Sequence, residues 1–519
     1  MLDVFTSVFI LLITSFAFLY VKFIYDSNYW KRRGIAGPYH LKTNSIENQA
    51  PLVLNINYPN VLLFREWTKE YGPIYGYNEG QRKVLVISVP EIAHEVMVKK
   101  FEYFHGRKLN PIVGDVVHDP RVHVFNAKGA RWKRLRNTAS PCFNAANLKK
   151  ILPTIQDCAN ITKTFLDKAY ATKKPFNIHS YFQEFTMDVI CRVALGQDKT
   201  LQFENPNVEL VKQVLFKFAN NPLDYWAHVF PKIGPYLKKI MFAIGKFKHI
   251  PIKDCIDQLY GTVAKRKAER SKNDETTSVD FIDLILDVED NSVIDGTFEK
   301  TNMKVPKKLT DEEIVGQCFV FLLAGFDTTA NTLGNTAWFL AKNPKIQQKL
   351  CEEIDDICGN RSEISYEELG SMPYTDAVMK ETLRHYPVAA FAASRECQIP
   401  TTIGPGIEIE KDVCVALDLY TLHFDKNIWG EDSEEFKPER FFDLSPLQQM
   451  SYYPFGGGPR LCVGMRLSYI EEKLILAKIL QNYFIRECSE TETKLKQMGN
   501  TISTPEKVTI VLEKRNNHL

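Results

Sequence analysis

Four stretches of this 519-residue chain hold residue types whose spacing could do chemistry. Phe455 to Gly464, FGGGPRLCVG, puts three consecutive glycines, Arg460 and Cys462 into ten residues. The glycines let the backbone turn tightly and approach something flat or bulky. Cys462 then precedes the helix-forming run MRLSYIEEKLILAKIL, where the dipole and free N–H groups stabilise a thiolate. A free cysteine after a glycine loop is common, but not within the whole pattern Phe-x-x-Gly-x-Arg-x-Cys-x-Gly. Glu381 and Arg384 are three apart and share one helix face; such a pair on a surface is worth only about 0–1 kcal/mol. Thr310 and Glu313 form a T-x-x-E capping box before the apolar run CFVFLLAGF, which Asp327-Thr328-Thr329 interrupts. Polar groups inside an apolar helix are costly unless satisfied or used. A back-bonded threonine pair beside a satisfied Asp gives the same pattern. Trp132-Lys-Arg-Leu-Arg136 reads, alone, as a basic helix turn.

The elements that must position these groups are mostly helical. Long amphipathic stretches run from about 90 to 390, short β-rich runs such as Lys83–Val89 come early, and turn formers gather over 400–462. The predicted fold class is mainly α with small β-sheets, in one large domain. The polar stretch 268–310 reads as a loop region around a short helix at FIDLILD. Lys plus Arg is 65 and Asp plus Glu 63, a net +2, which gives no electrostatic argument for nucleic acid. A hydrophobic fraction of 45% excludes a disordered chain. Eleven cysteines without CxxC spacing exclude structural zinc and c-type haem attachment and read as reduced thiols. Between Asp3 and Lys22 lies an uncharged run about 27 Å long as a helix, just enough to cross a bilayer core. Lys31, Arg32 and Arg33 follow it and place the body in the cytoplasm. The predicted organisation is an anchor over 1–24, a basic hinge over 25–50 and a catalytic domain over 51–519. The aromatic, apolar run 209–250 reads equally as a surface dipping into the bilayer or as a buried helix pair.

The Cys462 loop resembles the haem-thiolate loop of the cytochrome P-450 superfamily. Glu381-x-x-Arg384 with Phe436-Lys-Pro-Glu-Arg-Phe441 is similar to that family's ExxR and PERF elements, and AGFDTT to its oxygen-activation motif. WKRLRNTASPCF resembles the vertebrate drug-metabolising branch, numbered family 3. The resemblance spans the chain from the anchor to about residue 490, with one departure: Pro38 stands almost alone where a proline-rich hinge is usual.

The resemblance implies haem b, with Cys462 as the proximal iron ligand, its thiolate favouring O–O cleavage. It implies a buried charge network of Glu381, Arg384 and Arg440. Trp132, Arg136, Arg395, Arg460 and Arg107 become haem-binding residues, the arginines matched to anionic propionates, with Phe455 in the same loop. Gly325 would let haem and dioxygen approach the helix. Thr328 would hydrogen-bond the activated oxygen, and Asp327 would relay protons to it. The implied activity is a membrane-anchored monooxygenase of the endoplasmic reticulum, cytosolic in its body, acting on a lipophilic small molecule. No GxGxxG fingerprint is evident, so electrons come from a partner: an NADPH–cytochrome P-450 reductase, with a cytochrome b-type donor as a second source. A haem-thiolate isomerase or dehydratase acting on a hydroperoxide is the alternative, which the Asp327-Thr328 pair opposes. A non-enzymatic haem sensor or carrier would need no Thr328.

Overall fold

The computed structural model describes residues 2–39, 48–217, 221–244, 251–271, 280–287, 309–499 and 502–515. Helix α1 (Leu2–Ser27) carries the apolar stretch Thr6–Ser27, whose most apolar 18-residue window is not buried against the rest of the protein. At 1.5 Å per residue that stretch is about 33 Å long, enough to cross a hydrocarbon core. The chain after it does not run free. Trp30 is fully buried, donates its indole N–H to the Tyr77 carbonyl at 3.1 Å, and lies where a Cβ on Gly76 would stand. The described part of the expected hinge is therefore docked onto the first hairpin; residues 40–47 lie outside the described residues.

That hairpin is β1 (Ile74–Glu79) and β2 (Arg82–Ile87). Helices follow: α2 (Gly129–Ala139), α3 (Ile178–Ala194), α4 (Pro222–Val229), α5 (Gly234–Ile244), α6 (Asp311–Lys342) and α7 (Pro373–His385). Strands β3 (Ser394–Glu396) and β4 (Cys414–Leu417) precede α8 (Met465–Leu480). The sheet order is β1-β2-β4-β3, with β2 parallel to β4 and the other pairs antiparallel. Mainly α with small sheets is what the sequence predicts. The polar stretch 268–310 does hold the short helix, at Phe281–Asp287; 272–279 and 288–308 lie outside the described residues.

Helix α6 is the axis of the largest core. Its capping box is formed: the Thr310 hydroxyl accepts from the Glu313 N–H, and the Glu313 carboxylate accepts from the Thr310 N–H, both at 3.2 Å. Like α1 it is long and apolar enough to span a membrane, but most of it is buried. It packs against α3 with Phe182, Ile190, Phe326 and Leu333 in one apolar cluster. Gly325 belongs to this contact. A Cβ there would stand 2.8 Å from the Ile190 side chain of α3. The expectation that Gly325 opens the helix toward a haem is corrected: the glycine is needed for close helix packing.

The 209–250 run divides. Met241 and Ala227 are buried, while Trp226, Ile233, Tyr236, Ile240 and Ile244 are exposed, Tyr236 by 65%. An apolar face is thus open to the surroundings; residues 218–220 and 245–250 lie outside the described residues.

Candidate functional site

One cavity of about 520 Å³ opens between the Cys462 loop and α6. The loop is built by its glycines. Gly456 and Gly458 have φ of 72° and 63°, and a Cβ on Gly458 would meet the Met97 carbonyl oxygen at 2.2 Å. The Cys462 N–H donates to the Phe455 carbonyl at 3.0 Å and closes the turn. Of the eleven cysteines, none disulfide-bonded, nine are buried and Cys462 alone is exposed, and its exposure is toward this cavity. Burial in the loop raises its thiol pKa; the N–H groups of Gly464 and Met465 and the guanidiniums of Arg136 and Arg107 pull the other way. Phe455 lines the same wall.

Arginines converge beside it. Trp132 and Arg136, four apart on α2, both line the cavity, as do Arg107 and Arg460. The Arg460 guanidinium sits 4.8 Å over the Trp132 ring. Two neighbouring arginines of the helix are taken up by Glu313 instead: Arg131, just before Trp132, reaches it at 3.2 Å, and Arg134 pairs with the same carboxylate. Arg395 is fully buried behind the wall, in β3, donating to the carbonyls of Ala392, Ser394 and Gly457; the structure does not bring it to the cavity surface. Among the described residues Arg107 likewise donates only to the carbonyls of Ala392 and Arg460, and Arg460 only to those of Phe125 and Ala127. Each keeps a buried Nε with no partner. Among the described residues no carboxylate pairs with any of the three. Burial, and then mutual repulsion, pushes Arg395 and Arg460 well below the ordinary arginine range. Burial brings Arg107 down to about 10.

Across the cavity, Ala324 and Thr328 of α6 form the opposite wall. The Thr328 hydroxyl donates to the Ala324 carbonyl at 2.6 Å, and Thr332 repeats the pattern onto Thr328. Asp327 points elsewhere. It is fully buried and accepts from Gln183 of α3 at 2.9 Å, Asn331 at 2.9 Å and Thr504 at 2.8 Å. The Asn331 Oδ1 in turn accepts from the His179 Nε2–H at 2.7 Å. Asn331 stands four residues after Asp327, a spacing visible in the sequence; Gln183 and Thr504 are remote in the chain and carry no local signal.

Under the cavity Glu381 and Arg384 of α7 are both fully buried. Two bonds of 2.7 and 2.8 Å join them. Arg440 adds a third contact to Glu381 at 3.1 Å, and the Lys437 N–H donates to the same oxygen at 2.9 Å. Arg384 also holds the carbonyls of His423 and Ser433. Burial opposes the Glu381 charge, but the bonds from Arg384 and His385 prevail and hold its carboxyl at about 2. Glu381, Arg384 and Arg440 therefore form the expected network, which ties α7 to the segment leading to the Cys462 loop.

Comparison with known proteins decides what this arrangement belongs to. The cytochrome P-450 family model matches residues 51–512. The chain belongs to the cytochrome P-450 family. It is 40% identical over 518 residues to the Caenorhabditis elegans cytochrome P-450 CYP13A2, covering 98% of this chain and 99% of that one. It is 41% identical over 514 residues to cyp-13B1 of the same organism, covering 98% and 99%. Membership makes it a P-450 monooxygenase, a family that binds haem iron.

The residues of this P-450 fit that group. Three buried guanidiniums lacking a counter-anion, with Arg136 beside them, form a charge deficit that anionic propionates would fill. Among the described residues no three His, Cys, Asp or Glu side chains converge. A lone thiolate suits an iron whose other ligands come with the macrocycle.

Proposed function

We propose that this P-450 is a microsomal, membrane-anchored monooxygenase of the family 3-like branch, in which the Cys462 thiolate would hold the iron of haem b. It inserts one atom of dioxygen into a lipophilic substrate. The observation that carries the reading is Cys462, the one cysteine facing open space, in a loop that aims its Sγ into an arginine-flanked cavity. When bound, the haem supplies oxygen activation, with electron density pushed from the thiolate.

The chain's own groups do the rest. Arg107, Arg136 and Arg460 would hold the propionates, with Trp132 stacked under Arg460, and Arg395 would add positive charge behind them. Phe455 covers the thiolate side. Thr328 presents a hydroxyl to the cavity and handles the proton delivered there. Asp327 would have to leave three hydrogen bonds to act as the relay. Its role in this reading is therefore to fix the α6 turn that aims Thr328. Apolar side chains such as Val124, Phe319 and Val320 exclude water and receive the substrate. The hydroperoxide-isomerase alternative gives Thr328 no task.

The exposed helix α1 and the apolar residues of α4 and α5 support attachment to the endoplasmic reticulum membrane, with the basic residues Lys31 and Arg32 on the cytosolic side. Electrons come from an NADPH-dependent reductase, with a cytochrome b-type donor as the second source. The test is spectral. Reduced protein with carbon monoxide should show the red-shifted Soret band of thiolate-bound haem, and Cys462→Ala should lose it. A histidine-type band in the wild type overturns the assignment.

A further inference from the structure

Helix α3 meets α6 through a seam of polar side chains set inside the largest apolar core. His179, Gln183 and Thr186 lie four and three residues apart, so they share one face of α3, and Ile190 continues it. Each of the three touches α6. The Thr186 hydroxyl donates to the Phe326 carbonyl at 2.8 Å, the Gln183 amide donates to the Asp327 Oδ1 at 2.9 Å, and His179 meets Asn331 at 2.7 Å. All three are buried, and Asp327 and Asn331 completely so. Polar groups in such a place are stable only when each is satisfied.

The direction of the bond between His179 and Asn331 follows from what else Asn331 touches. Its Nδ2 faces three acceptors: the Asp327 Oδ2 at 2.9 Å, the Thr504 hydroxyl at 3.0 Å and the Ser503 carbonyl at 3.3 Å. A turned amide would set its oxygen against them. Oδ1 therefore points to His179, and because Oδ1 only accepts, the His179 Nε2 carries the proton. Burial, opposed by Asp327, lowers the His179 pKa, so the imidazole is neutral near pH 7 and has that one N–H to give. The ring also packs close to α6: a Cβ on Gly334 would stand 3.0 Å from its Cδ2. Asp327 is thus held by three neutral donors, one of which, Asn331, is itself held by His179.

We propose that His179 is a positioning residue for Thr328: through Asn331 and Asp327 it fixes the α6 turn that holds the Thr328 hydroxyl at the cavity wall. Thr328 directly follows Asp327, and it lines the cavity while donating to the Ala324 carbonyl. Without the His179 N–H, the Asn331 Oδ1 is left buried with no donor, which is costly. Relieving it means moving the Asn331 side chain, and that takes Nδ2 away from Asp327. His179 is not among the residues that line the cavity. Its effect therefore reaches the reaction only through this chain of bonds. The proposal rests on the reading of Thr328 as the group that handles the delivered proton.

The experiment uses the haem-loaded full chain as wild type, His179→Leu, His179→Gln, Thr328→Ala and the double variant His179→Leu/Thr328→Ala. Two quantities are read. One is the C–O stretching band of the reduced carbon monoxide complex, by infrared spectroscopy, which senses where the Thr328 hydroxyl stands. The other is the ratio of product to hydrogen peroxide with added reductase, NADPH and cyclododecane as the probe. His179→Leu should move the band toward its Thr328→Ala position. It should also lower the ratio about three- to tenfold, the value of one neutral hydrogen bond. His179→Gln, whose amide N–H can replace the imidazole donor, should restore both. In the Thr328→Ala background His179→Leu should change neither. A lower melting midpoint with an unmoved band and ratio would leave His179 a packing residue only and overturn the proposal. An equal further loss in the double variant would overturn it too. If His179→Leu does not load haem, Asn331→Leu reads the same link from its other end with the same expectations. If cyclododecane is not turned over, the band alone decides. An unmoved band in Thr328→Ala itself would overturn the proton-handling reading, and the positioning with it. A missing thiolate Soret band in the wild type would instead overturn the haem assignment.

Discussion

Glu381→Gln removes a charge but almost no volume, so it isolates the electrostatic part of the buried network. In the folded protein the Glu381 carboxyl titrates at about 2, against an ordinary 4.5. Two and a half pH units correspond to about 3 kcal/mol of stability near pH 7. Removing one member of a buried ion pair gives a similar figure, about 3–5 kcal/mol, because Arg384 and Arg440 would lose their shared anion. The sign follows from the depressed pKa: the contribution is present above the unfolded value near 4.5 and is lost as pH falls toward 2. The unfolding entropy of about 2.1 cal/mol/K per residue, summed over residues 51–512, makes each kcal/mol worth only about 1 °C. The expected fall in melting midpoint is therefore about 3–5 °C at pH 7, read by circular dichroism on the haem-loaded protein at one scan rate. The gap between wild type and variant should narrow as pH drops from 5 to 3.5. Equal midpoints at pH 7, or a gap that widens in acid, would refute the argument.

Three other perturbations test the site and its setting. Thr328→Ala should keep the carbon monoxide spectrum but lower product per NADPH and raise hydrogen peroxide release; an unchanged yield would leave Thr328 as only a back-bonded helix residue. Gly458→Ala should fold poorly or lose haem, because its φ is positive and its Cβ would collide with the Met97 carbonyl; Gly261→Ala, with open space around it, is the control and should retain full haem content. Deleting residues 1–27 should release the protein from carbonate-washed membranes, while weaker, salt-insensitive binding through Trp226, Tyr236 and Ile240 should persist in vesicle flotation.

Much of the chemistry was legible in the sequence because it is local. The Cys462 loop, the Thr310–Glu313 cap, the Glu381–Arg384 pair and the Trp132–Arg136 spacing each lie within ten residues. Backbone geometry over so short a span depends on glycine placement and helical periodicity, which the residue order determines alone. The α1 run and the short helix at 281–287 were visible for the same reason. Tertiary structure decided whatever depends on which distant segments meet. Gly325 serves the contact with Ile190 of α3, and Asp327 is claimed by Gln183 and Thr504 from opposite ends of the chain. Arg395 is drawn behind the cavity wall by its strand pairing with Val415. Residues 29–39, basic and glycine-containing, look like a hinge until Trp30 finds its slot over Gly76. His123 is an unremarkable loop histidine in the sequence. Only the packing of its loop against α6 buries its Nδ1 without a hydrogen-bond partner among the described residues, since burial and unmet hydrogen bonds are properties of the assembled core.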